Sequence, residues 1–86
     1  MDATAARVKQ YILDEFLPGE DPANLTETTP LVTGGILDSL ATLKLISFLE
    51  QEFGIKVASH ETGQKYLNTL EAIANLVRTK QKAPAK

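Results

Sequence analysis

The sequence predicts an all-α protein, a small three-to-four-helix bundle with one long loop between the first and second helices. Two observations carry that prediction. Apolar residues recur at spacings of three and four over residues 3–17, 40–53 and 70–77, the period of a helix with one buried face. Glycine and proline stand at the edges of these stretches and not inside them, as helix boundaries require. The length of 86 residues leaves room for one domain and one modest core.

The first helix, 3–17, places Ala5, Val8, Ile12 and Phe16 on one side and Arg7, Gln10 and Asp14 on the other, and Pro18-Gly19 ends it. Residues 18–38 form the long connection, with Pro18, Gly19, Pro22, Pro30, Gly34 and Gly35. A structureless stretch of that length is unusual in a compact domain. Leu25, Leu31 and Ile36 are therefore expected to pin it to the core, with Thr29-Pro30-Leu31 as an anchor.

Gly34-Gly35 then offers a turn with positive φ, and Asp38 or Ser39 can cap a helix over 40–53 that Gly54 stops. At 100° per residue its inner face carries Thr42, Leu45, Ile46, Leu49 and Phe53. Leu40, Lys44, Ser47 and Gln51 fall opposite, with Leu43 at the margin. Ile55-Lys56-Val57 is too short for a strand, and the polar stretch 58–67 has room for one helical turn. Asn68 or Thr69 caps the last helix, Asn68 with Glu71 fitting a capping-box pattern. Its apolar face is Leu70, Ile73, Ala74 and Val77. The domain is expected over 3–79, followed by a flexible polar tail over 80–86.

Composition narrows the function classes. A hydrophobic share of 43% and a charged share of 23% are those of an ordinary soluble globule. No stretch nears the roughly 18 apolar residues of a membrane span, and Met1-Asp2 opens no signal-peptide pattern. A cytoplasmic location is expected. The absence of cysteine fits it and rules out disulfides and thiolate metal sites. A net charge of −2 gives no electrostatic reason to expect nucleic acid.

The candidate chemistry is concentrated in Gly34-Gly35-Ile36-Leu37-Asp38-Ser39-Leu40. A serine opening a helix is exposed, held at a fixed angle, and sits at the positive end of the dipole, which suits a phosphate ester. Taken alone, Asp38-Ser39 reads better as a helix cap. No catalytic residue is expected: His60 lies in a polar segment without an evident partner, and Ser39 stands in no G-x-S-x-G elbow. Gly34-Gly35 lacks the Lys-Ser/Thr of a phosphate-binding loop. Glu50, Gln51 and Glu52 read as a wet helix surface, and no ligand cluster suggests a metal.

Gly35-Ile36-Leu37-Asp38-Ser39-Leu40-Ala41-Thr42, followed by Leu49-Glu50-Gln51-Glu52-Phe53-Gly54-Ile55-Lys56-Val57, resembles acyl carrier proteins and their peptidyl and D-alanyl carrier relatives. The likeness runs from the first helix through Thr29-Pro30-Leu31 to Leu70-Glu71-Ala72-Ile73, and so covers nearly the whole chain. It implies a carrier-protein domain over 3–79 in which Ser39 bears 4′-phosphopantetheine in phosphodiester linkage. A phosphopantetheinyl transferase using coenzyme A would attach it, and the arm would lend a thiol to a chain that has none. Acyl or aminoacyl thioesters would then be presented to acyl-loading and acyl-processing enzymes by a monomer that is not itself an enzyme. Asp38, Leu40, Leu43, Lys44 and Ser47 would meet those partners. Lys44 stands where the family often has Glu, and Gln51 and Ala41 replace other acids. Those departures count against general fatty-acid service, and the Ile36-Leu37-Asp38-Ser39-Leu40 wording leans toward carriers of amino acids or specialised acyl groups. An unmodified helical adaptor and a partner-dependent regulator are the alternatives from other classes.

Overall fold

The computed structural model describes residues 3–82. Four helices form: α1 (Ala3–Phe16), α2 (Ser39–Phe53), α3 (Gln64–Leu67) and α4 (Leu70–Lys82). Single 3-10 turns cover Pro22–Asn24 and Ser59–Glu61, and among the described residues there is no strand. The all-helical bundle is the one the periodicity predicts. α1 packs most extensively on α4, and Val8, Ile12, Leu45, Leu49, Leu70, Ile73 and Val77 are wholly buried between the helices.

α2 has both of its expected stops. Asp38 is the N-cap, its Oδ1 accepting from Ala41 N at 2.8 Å, and Gly54 closes the helix at φ 64°, a left-handed conformation that glycine adopts without penalty. The buried face is Ala41, Leu45 and Leu49, with Ile46, Phe48 and Phe53 half-buried. Phe48 stacks on Tyr11 of α1 at 4.0 Å between ring centroids, and the Tyr11 hydroxyl donates to the Lys44 carbonyl. Burial, with Glu15 nearby, raises the Tyr11 pKa.

The long connection is tied down as expected at Leu25, Leu31 and Ile36, which packs against the core, and by Leu37, which is buried more deeply than Ile36. Leu25, Leu31 and Leu37 are buried and Ile36 is half-buried. Two adjacent apolar residues in irregular backbone carry no periodicity to say which points inward. The stretch is also less structureless than expected, since Asp21 Oδ1 caps the Pro22–Asn24 turn through Ala23 N.

The segment after α2 holds two short helical pieces where one turn is expected. The capping of α4 falls to Thr69, whose Oγ1 accepts from Ala72 N at 3.0 Å. Asn68 and Glu71 form no capping box: the Asn68 side chain turns to the long loop, and Glu71 N donates to the Glu27 carbonyl. α4 continues to Lys82, past the helix end expected at 79. Lys80 Nζ lies 2.6 Å from Glu61 Oε1. That hydrogen bond leads in holding the Glu61 carboxyl below its ordinary range; burial opposes it, and the Ala58 N–H and the charges of Lys80 and His60 add to it. The rest of the expected tail, 83–86, lies outside the described residues.

Candidate functional site

Ser39 is the first residue of α2 and is exposed. Its position is set from both sides. Downstream, the first turn is closed by Asp38, whose side chain takes Ala41 N and whose carbonyl takes both Thr42 N and Thr42 Oγ1. Upstream, Leu37 N donates to the Leu31 carbonyl at 2.8 Å, so residues 31–37 make a closed loop. Gly35 turns that loop at φ 85°. Gly34 has a different reason to be glycine, because a Cβ there would run into the Pro30 carbonyl oxygen. Backbone cannot swing aside as a side chain tip does. Gly34→Ala is therefore expected to cost about 1–3 kcal/mol, read as a lowered melting temperature.

Beside Ser39 lies an open depression of about 570 Å³, lined by Val32, Leu37, Asp38, Ser39, Thr42, Leu43, Ile46 and Thr62. Val32, Leu37, Leu43 and Ile46 give its wall an aliphatic character. On the other flank Phe16, Asp38, Leu40, Ala41 and Lys44 border a smaller hollow. Among the described residues only Leu40, at 63%, and Leu43, at 62%, are large hydrophobic side chains left exposed. Both belong to the first two turns of α2.

The outward stripe of α2 is thus Leu40, Leu43, Lys44, Ser47 and Gln51, all exposed, and Leu43 lies well outside rather than at the margin. The stripe contains no carboxylate. Glu50 and Glu52 are engaged elsewhere: Glu50 Oε2 accepts from Val57 N at 2.9 Å, and Glu52 pairs with Arg7 at 3.1 Å. They fasten neighbouring segments, so the expectation of a merely wet surface is incomplete. Ala41 faces the core, so replacing an acid there removes nothing from the stripe. Lys44 Nζ lies 3.8 Å from Glu15 of α1. His60 is exposed and 4.0 Å from Glu61, far in sequence from the serine and not among the residues lining its depression. Among the described residues no group of acidic or histidine side chains could hold a metal ion.

Thr62 lines the depression with no sequence signal to mark it, whereas Asn68, expected only as a helix cap, reaches this neighbourhood through its bond to Val32 N. For Asn68 a signal exists: two candidate caps side by side leave one surplus.

The D-alanyl carrier protein of Streptococcus uberis is 38% identical over 78 residues, covering 88% of this chain and 98% of the relative. This chain belongs to the acyl carrier protein family. The mitochondrial acyl carrier protein of Neurospora crassa is 33% identical over 63 residues, 73% of this chain and 46% of that longer one. A chain in the crystal structure of an FAD-dependent dehydrogenase superposes with a TM-score of 0.74 at 30% identity, covering 81% of this carrier and 97% of that chain. No family model matches the sequence. Both curated relatives are carrier proteins by name.

Proposed function

We propose that this carrier is modified on Ser39 with 4′-phosphopantetheine and holds small aminoacyl or specialised acyl groups as thioesters for the enzymes that load and process them. The observation that supports it most is Ser39 itself, an exposed hydroxyl at the start of α2 in a chain that spans nearly all of a D-alanyl carrier protein. In the modification Ser39 Oγ bonds to the β-phosphorus of coenzyme A. The diphosphate bridge breaks, adenosine 3′,5′-bisphosphate leaves, and the hydroxyl proton passes to a base of the transferase. The residues present suit the product. The free N–H groups and dipole of the α2 N-terminus favour a phosphodiester, and the aliphatic depression can shelter part of a flexible arm. When bound, the arm supplies the thiol that a cysteine-free chain lacks.

The cargo reading rests on the outward stripe and on the first relative. With Lys44 exposed and no carboxylate on the stripe, partners that read acidic carriers through basic patches find little to bind. The dehydrogenase structure adds an oxidoreductase to the candidate partners. The matched chain is of single-carrier size, since 97% of it is covered by 81% of this one. A cytoplasmic monomer completes the reading. Among the described residues no helix is long and apolar enough to cross a membrane.

Intact-mass measurement after incubation with coenzyme A, Mg²⁺ and a broad-specificity transferase tests this. One added phosphopantetheine is expected. A chain that stays unmodified beside a converted control carrier overturns the reading and leaves the adaptor. Cargo choice is tested separately by Lys44→Glu. The substitution places a carboxylate on the stripe and should speed loading by a generic fatty-acid partner, with the gain shrinking as salt rises, since a rim charge acts on encounter and is screened within about 10 Å at 0.1 M. Equal rates at every salt concentration would remove position 44 from partner choice.

A further inference from the structure

Asn68 joins α3 to α4, its own N–H donating to the Gln64 carbonyl. Three successive N–H groups of the distant loop end on this one residue. Leu31 N donates to the Asn68 carbonyl at 2.6 Å. Val32 N and Thr33 N donate to Asn68 Oδ1 at 2.9 and 3.0 Å. The Thr33 hydroxyl approaches the same oxygen at 3.4 Å. Leu31 is in turn the residue whose carbonyl receives Leu37 N, and Leu37 leads directly into Asp38 and Ser39. The chain of fixed backbone runs from the Asn68 carbonyl through Leu31 and Leu37 to the start of α2, and the Asn68 side chain holds residues 32 and 33 within the same closed loop.

We infer that Asn68 is a positioning residue for the modification of Ser39, setting the angle at which the first turn of α2 offers its hydroxyl to the transferase. The inference rests on the reading of Ser39 as the modified residue. Its physical basis is the demand of the half-buried Val32 N–H for an acceptor, while the exposed Thr33 N–H adds a second bond that water could replace. Without the side-chain oxygen, Val32 N and Thr33 N lose theirs, and the loop gains conformers in which Ser39 is misdirected. A substrate competent only part of the time reacts more slowly by that fraction. Helix capping is not at stake, because Thr69 caps α4. Oδ1 acts purely as an acceptor, so aspartate can replace asparagine here.

The test compares Asn68→Ala, Asn68→Asp and Ala74→Gly by transferase kinetics on the unmodified chain, with circular dichroism and amide exchange. Ala74 is buried in α4 and makes none of the hydrogen bonds by which Asn68 staples the loop, so its glycine variant lowers stability without removing that staple. Asn68→Ala should lower kcat/KM about tenfold, the effect of losing one to two net hydrogen bonds, and should speed exchange at Val32 and Thr33. Asn68→Asp should restore both, and Ala74→Gly should be modified at the wild-type rate. If Asn68→Ala does not fold, Asn68→Leu, closer in volume, takes its place and must show the same loss. A folded Ala or Leu variant modified at the wild-type rate overturns the role, as does an Asp variant no faster than Ala, or an Ala74→Gly loss equal to theirs. A wild-type chain left unmodified instead overturns the reading of Ser39, and the exchange data alone then report whether the staple holds the loop.

Discussion

Ser39→Ala is expected to abolish phosphopantetheine transfer completely while leaving the fold in place. The loss is total because the bond to phosphorus needs an oxygen at this position. The neighbouring hydroxyl cannot substitute, since the Thr42 side chain donates to the Asp38 carbonyl within the same turn. The fold survives because the cap of α2 is Asp38, not Ser39. Oδ1 of Asp38 takes Ala41 N, and the exposed Ser39 side chain gives up only solvent. Removing a true N-cap costs on the order of 1 kcal/mol; the serine should cost less, and Asp38→Ala should cost that amount. Intact mass and thermal melts on the three proteins check both halves. Modification persisting in the alanine variant would place the site elsewhere, and a Ser39→Ala melt as low as that of Asp38→Ala would mean the serine shares the capping.

What the sequence showed of this site depends on how far away each determinant lies. α2 was legible because its signals are local: Asp38 before the apolar repeat, Gly54 after it, and a period of 3.6 between them. The exposure of Leu40 follows from the same geometry, for it lies opposite Leu45 and Leu49 on the helix wheel. The loop leading to Ser39 was not legible in detail. Its shape is set by Asn68, 36 residues from Val32, and no pattern within 18–38 reveals that partner. Asn68 itself was misread because Asn-x-x-Glu is a local capping signal, and a tertiary hydrogen bond outcompeted it. Glu50, Glu52 and Lys80 share that history. Glu50 and Glu52 read as a wet helix surface and Lys80 as part of the tail, yet each binds a group on another segment, and such a partner leaves no trace in spacing.

Leu49→Ala is expected to be the most destabilising of these substitutions, at about 2–5 kcal/mol. Leu49 is wholly buried on the face of α2 that meets α1 and α4. Truncation removes methyl groups from contact and leaves a space that the rest of the close-packed core fills only in part. A domain of this size has a total stability of roughly 4–13 kcal/mol at 0.05–0.15 kcal/mol per residue, so the loss could reach all of it. Since 1 kcal/mol moves the melting temperature of so small a domain by about 4–8 °C, a drop of at least about 8 °C is the expected reading. Leu40→Ala is the matched control on the same helix. Its side chain is 63% exposed, so stability should change by no more than about 0.5 kcal/mol. Its effect should appear instead as slower modification or partner turnover, because Leu40 adjoins Ser39 on the outward stripe. Melting curves for the two variants, with transferase rates for Leu40→Ala, decide the matter. If they melt alike, α2 is rotated from the orientation described, and the apolar stripe beside Ser39 belongs to the core rather than to the partners.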